Sequence, residues 1–286
     1  MNKAAFLFIG TLLCVLLNSC IHQDLPKCTS QWDVRVFVKD KNYSNVDAVH
    51  PQEKKDETLP FRDFIPTLYY SLRNLSTGEW IYPSAFLAVS GQSAYQALAF
   101  EGLPNGQYEL TVWGNTGAEQ PDGSLHKDNQ EQTDLYVGRT VLAVSSAASF
   151  SSDLYLERSK GKLVLSCVNF PSDVTMLEKE VDGVYASVTP DLKYAGSTTV
   201  RKTEAFQPET EMWLAPTVAN TTSGLRLRFL REHTASDSPD IVLSPIDLSL
   251  NRNEISFISL EYDQDAVDVW TFINGEWTLI HHLFIE

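Results

Sequence analysis

The sequence is short of the features that mark an enzyme or a nucleic-acid binder. It has no Gly-x-Ser-x-Gly nucleophile elbow, no glycine-rich phosphate loop and no His-Glu-x-x-His zinc helix. Basic residues are scarce: 22 Lys and Arg stand against 37 Asp and Glu, a formal net charge of −15. Such a surface repels phosphate backbones, which argues against a nucleic-acid partner. His281-His282 is the one adjacent pair among six histidines. Neighbours on a strand point to opposite faces, so the pair cannot chelate one metal ion. Asp263, Asp265 and Asp268, and the carboxylates of 122–134, lack the spacing of a calcium loop and read as solvated acidic loops. No catalytic residue, metal ligand or cofactor site emerges. Past the first twenty residues no run approaches the roughly 20 apolar residues needed to cross a bilayer. Cysteine is rare too: Cys14, Cys20, Cys28 and Cys167 are all there are, too few for a disulfide framework.

Where those few cysteines stand is informative. Lys3 precedes an apolar stretch over 4–17, interrupted only by Gly10 and Thr11, which is the layout of an export signal. Leu17-Asn18-Ser19-Cys20 then resembles the lipobox of bacterial lipoproteins. That resemblance implies removal of residues 1–19, acylation of Cys20 and a lipidated tether over 20–30. Acyl chains contribute roughly 0.8 kcal/mol per buried methylene, enough in combination (palmitate among them) to hold a domain on a membrane. Cys14 would leave with the signal, so Cys28 and Cys167 remain. In an oxidising compartment they form a candidate disulfide. The other reading makes Cys167, inside Leu163-Val164-Leu165-Ser166-Cys167-Val168, a buried small hydrophobe.

From Trp32 the pattern alternates, with Trp32, Val34, Val36 and Val38 on one face and Asp33, Arg35, Phe37 and Lys39 on the other. A period of two with β-branched residues marks a half-buried strand. Further strands are predicted at 67–73, 79–82, 95–100, 107–113, 135–144 and 153–157. After the charged break Glu157-Arg158-Ser159-Lys160-Gly161 they resume at 162–170, 183–189, 211–215, 225–231, 241–243, 254–262, 267–273 and 276–283. Pro104-Asn105-Gly106 and Asn274-Gly275 supply turn chemistry between strands. Residues 40–60 and 114–134 are polar and read as surface loops. Asp173, behind Pro171, reads as the N-cap of a short helix through 181. Short strands at this spacing argue two sandwiches in tandem, 31–157 and 158–286.

Two features leave alternatives open. Trp32, Trp80, Trp113, Trp213, Trp270 and Trp277 either stack on sugar rings or, alternating with apolar neighbours, pack in cores. The last strand is apolar on both faces and wants cover on both. That cover comes from its own domain or from the sheet edge of another subunit.

Asp24-Leu25-Pro26-Lys27-Cys28 behind the lipobox, followed by alternating valines, resembles the FimB-like fimbrial anchor and minor-subunit lipoproteins of type V pili. Gly102-Leu103-Pro104-Asn105-Gly106-Gln107-Tyr108-Glu109-Leu110-Thr111-Val112-Trp113-Gly114-Asn115 looks like that family's signature strand. Gly161-Lys162-Leu163-Val164-Leu165 fits the start of its second domain, and the stretches 225–230 and 248–258 fit later strands. The resemblance implies an all-β chain of two transthyretin-like (Greek-key) β-sandwiches, without enzymatic activity or cofactor. Its partners would be fimbrial or pilin subunits, and its place the cell outer membrane. Partner-binding residues stay unassigned, because 162–200 and the aromatic tail follow the pattern least. The competing function is a surface glycan-binding lipoprotein of a polysaccharide-uptake system.

Overall fold

A computed structural model describes residues 31–145, 150–232, 239–264, 266–273 and 276–284. The signal, Cys20, the tether, Cys28, Asp265 and the Asn274-Gly275 turn lie outside the described residues. The first seven strands are β1 (Gln31–Val38), β2 (Thr67–Asn74), β3 (Trp80–Ala88), β4 (Gln96–Glu101), β5 (Gly106–Gly114), β6 (Tyr136–Val144) and β7 (Phe150–Arg158). They form one sheet in the order β3-β2-β5-β6-β7-β1-β4. β6 and β7 pair only at Tyr136–Arg158 and Val137–Glu157, and beyond that the sheet opens and folds over. The alternation of β1 places Trp32, Val34, Val36 and Val38 inside. There they meet Leu68, Leu72, Tyr108, Leu110 and Val112 from the opposite layer.

The remaining strands are β8 (Gly161–Val168), β9 (Val174–Val184), β10 (Ser187–Val188), β11 (Tyr194–Ala195), β12 (Thr198–Ala205), β13 (Glu209–Leu214), β14 (Ser223–Arg231), β15 (Ile241–Val242), β16 (Ile246–Leu248), β17 (Ile255–Asp263), β18 (Ala266–Ile273) and β19 (Glu276–Phe284). β10 and β11 pair alone. The others make two sheets, β12-β9-β14-β15 with β16 also on β14, and β13-β8-β17-β18-β19. Val181, Leu225, Leu227 and Phe229 of one pack on Leu163, Leu165, Ile258 and Val269 of the other. The architecture is all-β, two sandwiches in sequence.

Three sequence expectations are corrected. Residues 173–181 are not a helix but belong to β9. Leu177, Lys179 and Val181 point inward while Glu178, Glu180 and Asp182 alternate outward, and that period of two overrides the local cap signal at Asp173. Residues 40–60 are not a free loop. The short helix α1 (Val46–Val49) and Tyr43 pack against Val164 and Ile255 of the second sandwich. The Asn45 side chain accepts from the Ile255 N–H at 2.8 Å and donates to its carbonyl at 2.9 Å, as a strand neighbour would. Nor is 114–134 simply solvated, since Leu125 and His126 are buried. Leu125 donates to Ala186 O at 2.9 Å and Val188 donates to Gly123 O at 2.8 Å, which ties the loop across the junction.

The tryptophans divide. Trp32 and Trp113 are buried, Trp213 and Trp270 half-buried, and Trp80 and Trp277 exposed.

Candidate functional site

The junction between the sandwiches is polar and buried. Arg158, read from sequence as part of a charged break, is only 5% exposed. Its guanidinium donates to Asp134 at 2.8 Å, to Asn253 at 2.6 Å and to the Tyr136 hydroxyl, and lies 3.9 Å from the centre of the Tyr43 ring. Arg252 donates to Asp40 at 2.7 Å and to Arg158 O at 2.9 Å. Lys160 is fully buried and donates to Gln132 O at 2.9 Å; burial pulls its pKa down to about 7, against the pull of Asp134 and Glu131. His126 accepts from the Ala215 N–H at 3.0 Å, and burial, with Lys160 nearby, lowers its pKa to about 3. Residues of 40–45, 126–136 and 158–160 are thus committed to joining two bodies. Among the described residues no group of three or more His, Cys, Asp or Glu is placed to hold a metal ion, and no helix is long and apolar enough to cross a membrane.

Cys167 is buried and carries no disulfide to any described residue. Burial pushes its thiol up to about 12, so it behaves there as a small hydrophobe. Its candidate partner Cys28 and the lipidation site Cys20 lie outside the described residues.

The surface that stands apart is the edge strand β19. It pairs antiparallel with β18 from Ala266–Phe284 to Ile273–Glu276, shifting register once between Val269 and Trp270. On its other side no described strand pairs with it. Trp277 packs edge-on to Phe257 and Phe272, with ring centres 5.3 and 5.6 Å away, yet stays 46% exposed. Leu279 and Phe284 are 44% and 72% exposed, whereas Ile280 and Leu283 rest against the core. His282 bonds Asp268 across the hairpin, and His281, on the neighbouring position, sits opposite Val269. The tail is therefore half in its own sandwich and half open.

An unpaired edge presents a row of N–H and C=O groups, and proteins ordinarily blunt it with proline, charge, shortness or a cover. Most of the other edges here follow that practice. β3 carries Pro83, which has no N–H to offer, and β15 and β16 are two and three residues long. β12 bears Arg201 and Lys202 and is bridged by Gln130. Beside β13, Glu131 takes the Trp213 N–H at 2.6 Å and His126 takes that of Ala215. β4 is six residues. β19 runs nine residues without Lys, Arg or Pro, its single acid being Glu276 at the start. A cleft of about 630 Å³ opens beside Phe284, where Leu227, Val242, Leu243 and Pro245 share its wall with the charged Glu178, Glu180, Arg201, Arg226 and Arg228. The chemistry on offer is main-chain pairing along β19 with a cleft of mixed apolar and charged lining at its end, which suits an added strand.

Sequence reading marked the tail as apolar on both faces. It did not reveal that β19 ends its sheet, because strand order depends on pairings between residues far apart in the chain.

No protein-family model and no curated protein matches the chain. Solved structures do, at low sequence identity. A candidate polysaccharide-binding protein from Bacteroides thetaiotaomicron is 12% identical, with a TM-score of 0.55 over 88% of this chain and 98% of that one. A candidate adhesin from the same organism is 11% identical, with a TM-score of 0.53 over 90% and 100%. The fimbrial anchor protein Mfa2 of Porphyromonas gingivalis is 12% identical, with a TM-score of 0.51 over 91% and 100%. The chain shares the fold of these proteins along nearly its whole described length. The resemblance to fimbrial anchor lipoproteins read from the sequence thus holds at the level of fold.

Proposed function

We propose that this chain is a non-enzymatic anchor or accessory subunit of a fimbrium, held on the outer membrane by acylated Cys20. Its two sandwiches, 31–157 and 158–286, form a platform, and β19 receives a strand from a neighbouring fimbrial subunit. The observation that carries this reading is the nine-residue open edge of β19, which carries no Lys, Arg or Pro. Left uncovered, such an edge is an aggregation hazard, and a standing partner removes it. Main-chain hydrogen bonds would supply affinity, while alternate side chains entering the cleft by Phe284 would supply specificity. The likeness in fold to the fimbrial anchor protein Mfa2 supports the same assignment.

The test is a pull-down of the tagged, full-length protein from outer membranes. A polymeric subunit should accompany the wild type. Leu279→Lys, at an exposed position on the open edge, should lose that subunit and melt as the wild type does. Cys20→Ser should leave the sandwiches folded but release the protein from the membrane fraction. Retention of the polymeric subunit by Leu279→Lys would count against β19 as the receiving edge.

A further inference from the structure

A second cleft, of about 560 Å³, opens at the junction beside residues 115–117. Two lysines stand in its lining, Lys41 and Lys55, with their ammonium groups 5.5 and 5.6 Å from the centre of the Phe64 ring. Lys41 donates to Glu57 O, and Lys55 donates to Asp63 O at 3.0 Å. Most cations of this acidic chain hold a carboxylate, as Lys39 holds Glu157 and Lys54 holds Asp47. Neither Lys41 nor Lys55 forms such a pair with a described residue. Asp56, whose charge Lys41 feels, is engaged by the Thr58 N–H and hydroxyl, both at 2.8 Å. The carboxylates in the lining are engaged as well: Asp63 lies 3.6 Å from Arg62, and Asp134 accepts from Arg158 at 2.8 Å. The cleft is left with two unbalanced positive charges.

The neutral groups of the lining have the opposite need. Thr67 and Thr133 spend their hydroxyl protons on Thr116 O at 2.8 Å and Asn115 O at 2.7 Å, and the Asn115 amide donates to Asp134 O at 2.9 Å. What these groups have left are acceptor lone pairs. Asn115 Oδ1 and Thr116 Oγ1 have no partner among the described residues, although buried polar atoms are ordinarily satisfied. A ligand that serves both sets carries hydroxyl donors for the wall and an anionic group for the lysines. A bare carboxylate or phosphate brings no such donors, and a neutral sugar leaves the lysines unbalanced. The net charge of −15 does not forbid an anion, because the field of remote carboxylates is damped within about 8 Å at physiological salt. The volume is that of a small-molecule site. We propose that the cleft bounded by Lys41, Lys55, Asn115 and Thr116 binds a sugar acid, a hexuronate. The site is separate from β19 and does not depend on the fimbrial assignment.

Isothermal titration calorimetry of the detergent-solubilised full-length protein tests the site, with D-glucuronate, D-galacturonate and their methyl glycosides as ligands. At least one should bind about tenfold or more tightly than D-glucose or acetate does. Binding of the free acid or of its methyl glycoside supports the site, and which of the two binds separates a free sugar acid from the end of a glycan. The double variant Lys41→Gln, Lys55→Gln should weaken binding about tenfold or more. Thr116→Val should weaken it too, yet melt no lower than the wild type, because it removes a hydroxyl that has no partner in the free protein. Absence of binding by every hexuronate would overturn the proposal. So would glucose or acetate binding equally well, or affinity unchanged in both variants.

Discussion

His126 joins the two sandwiches through an acceptor nitrogen, and that role is open only to a neutral ring. The unfolded chain takes up a proton on this histidine near pH 6.5, whereas the folded chain resists until about 3. Unfolding therefore absorbs a proton within that window, and stability falls as the pH drops through it. At 1.36 kcal/mol per unit, the loss attributable to His126 between pH 7 and 5 is about 2 kcal/mol. His126→Gln keeps an acceptor near the Ala215 N–H and removes the titration. Urea unfolding of that variant should show a flatter acid limb than the wild type between pH 7 and 5, and parallel limbs would contradict the assignment. At this scale the sequence was informative about cores. Trp32, Val34, Val36 and Val38 are inside, as their alternation implied. It was uninformative about the junction. Arg158 and Lys160 look like solvated charge because burial of a charged residue depends on distant partners such as Asp134 and Asn253, which no local pattern encodes. Trp80 and Trp277 erred the other way: alternation made them core candidates, but their strands ended up at sheet edges.

Among the elements, β8 shows how closely the junction is built. Asn253 donates to Lys160 O and Lys162 donates to Glu254 O, both at 2.9 Å, so the 251–254 turn lies directly over the start of the strand. A Cβ on Gly161 would meet Asn251 O at 2.2 Å and Glu254 O at 2.9 Å, and both neighbours are backbone. Gly161→Ala is expected to cost about 1–3 kcal/mol, as overpacking does, read as an earlier urea midpoint. An unchanged midpoint would show that the turn gives way freely. Most strands were legible from their alternation, including the β18–β19 pairing around Asn274-Gly275. β12 was not, because Val200 is the one fully buried apolar side chain in a strand otherwise of Thr, Arg, Lys, Glu and Ala. β9 was misread for a related reason: an inward lysine, satisfied by Glu204 and by Thr210 at 2.8 Å, disguises its apolar face.

For the whole molecule, the junction makes relative motion of the sandwiches costly. Tyr69, Trp113, Leu125, Leu135 and Val137 of the first belong to the same apolar cluster as the core of the second. The described residues from β1 to β19 would then move together. The fold was legible in the order of the motifs, but the open edge of β19 was not, since it exists only once the described strands have found their places. The central claim is that β19 is where a fimbrial neighbour docks. Its most direct test is photo-crosslinking in intact cells, with a photoreactive side chain at Thr278 or Leu279 of β19 and, for comparison, at Val141 on the exposed face of β6. Adducts containing a fimbrial subunit are expected from the β19 positions and absent from position 141. Adducts from position 141 alone, or from none of the three, would contradict the account.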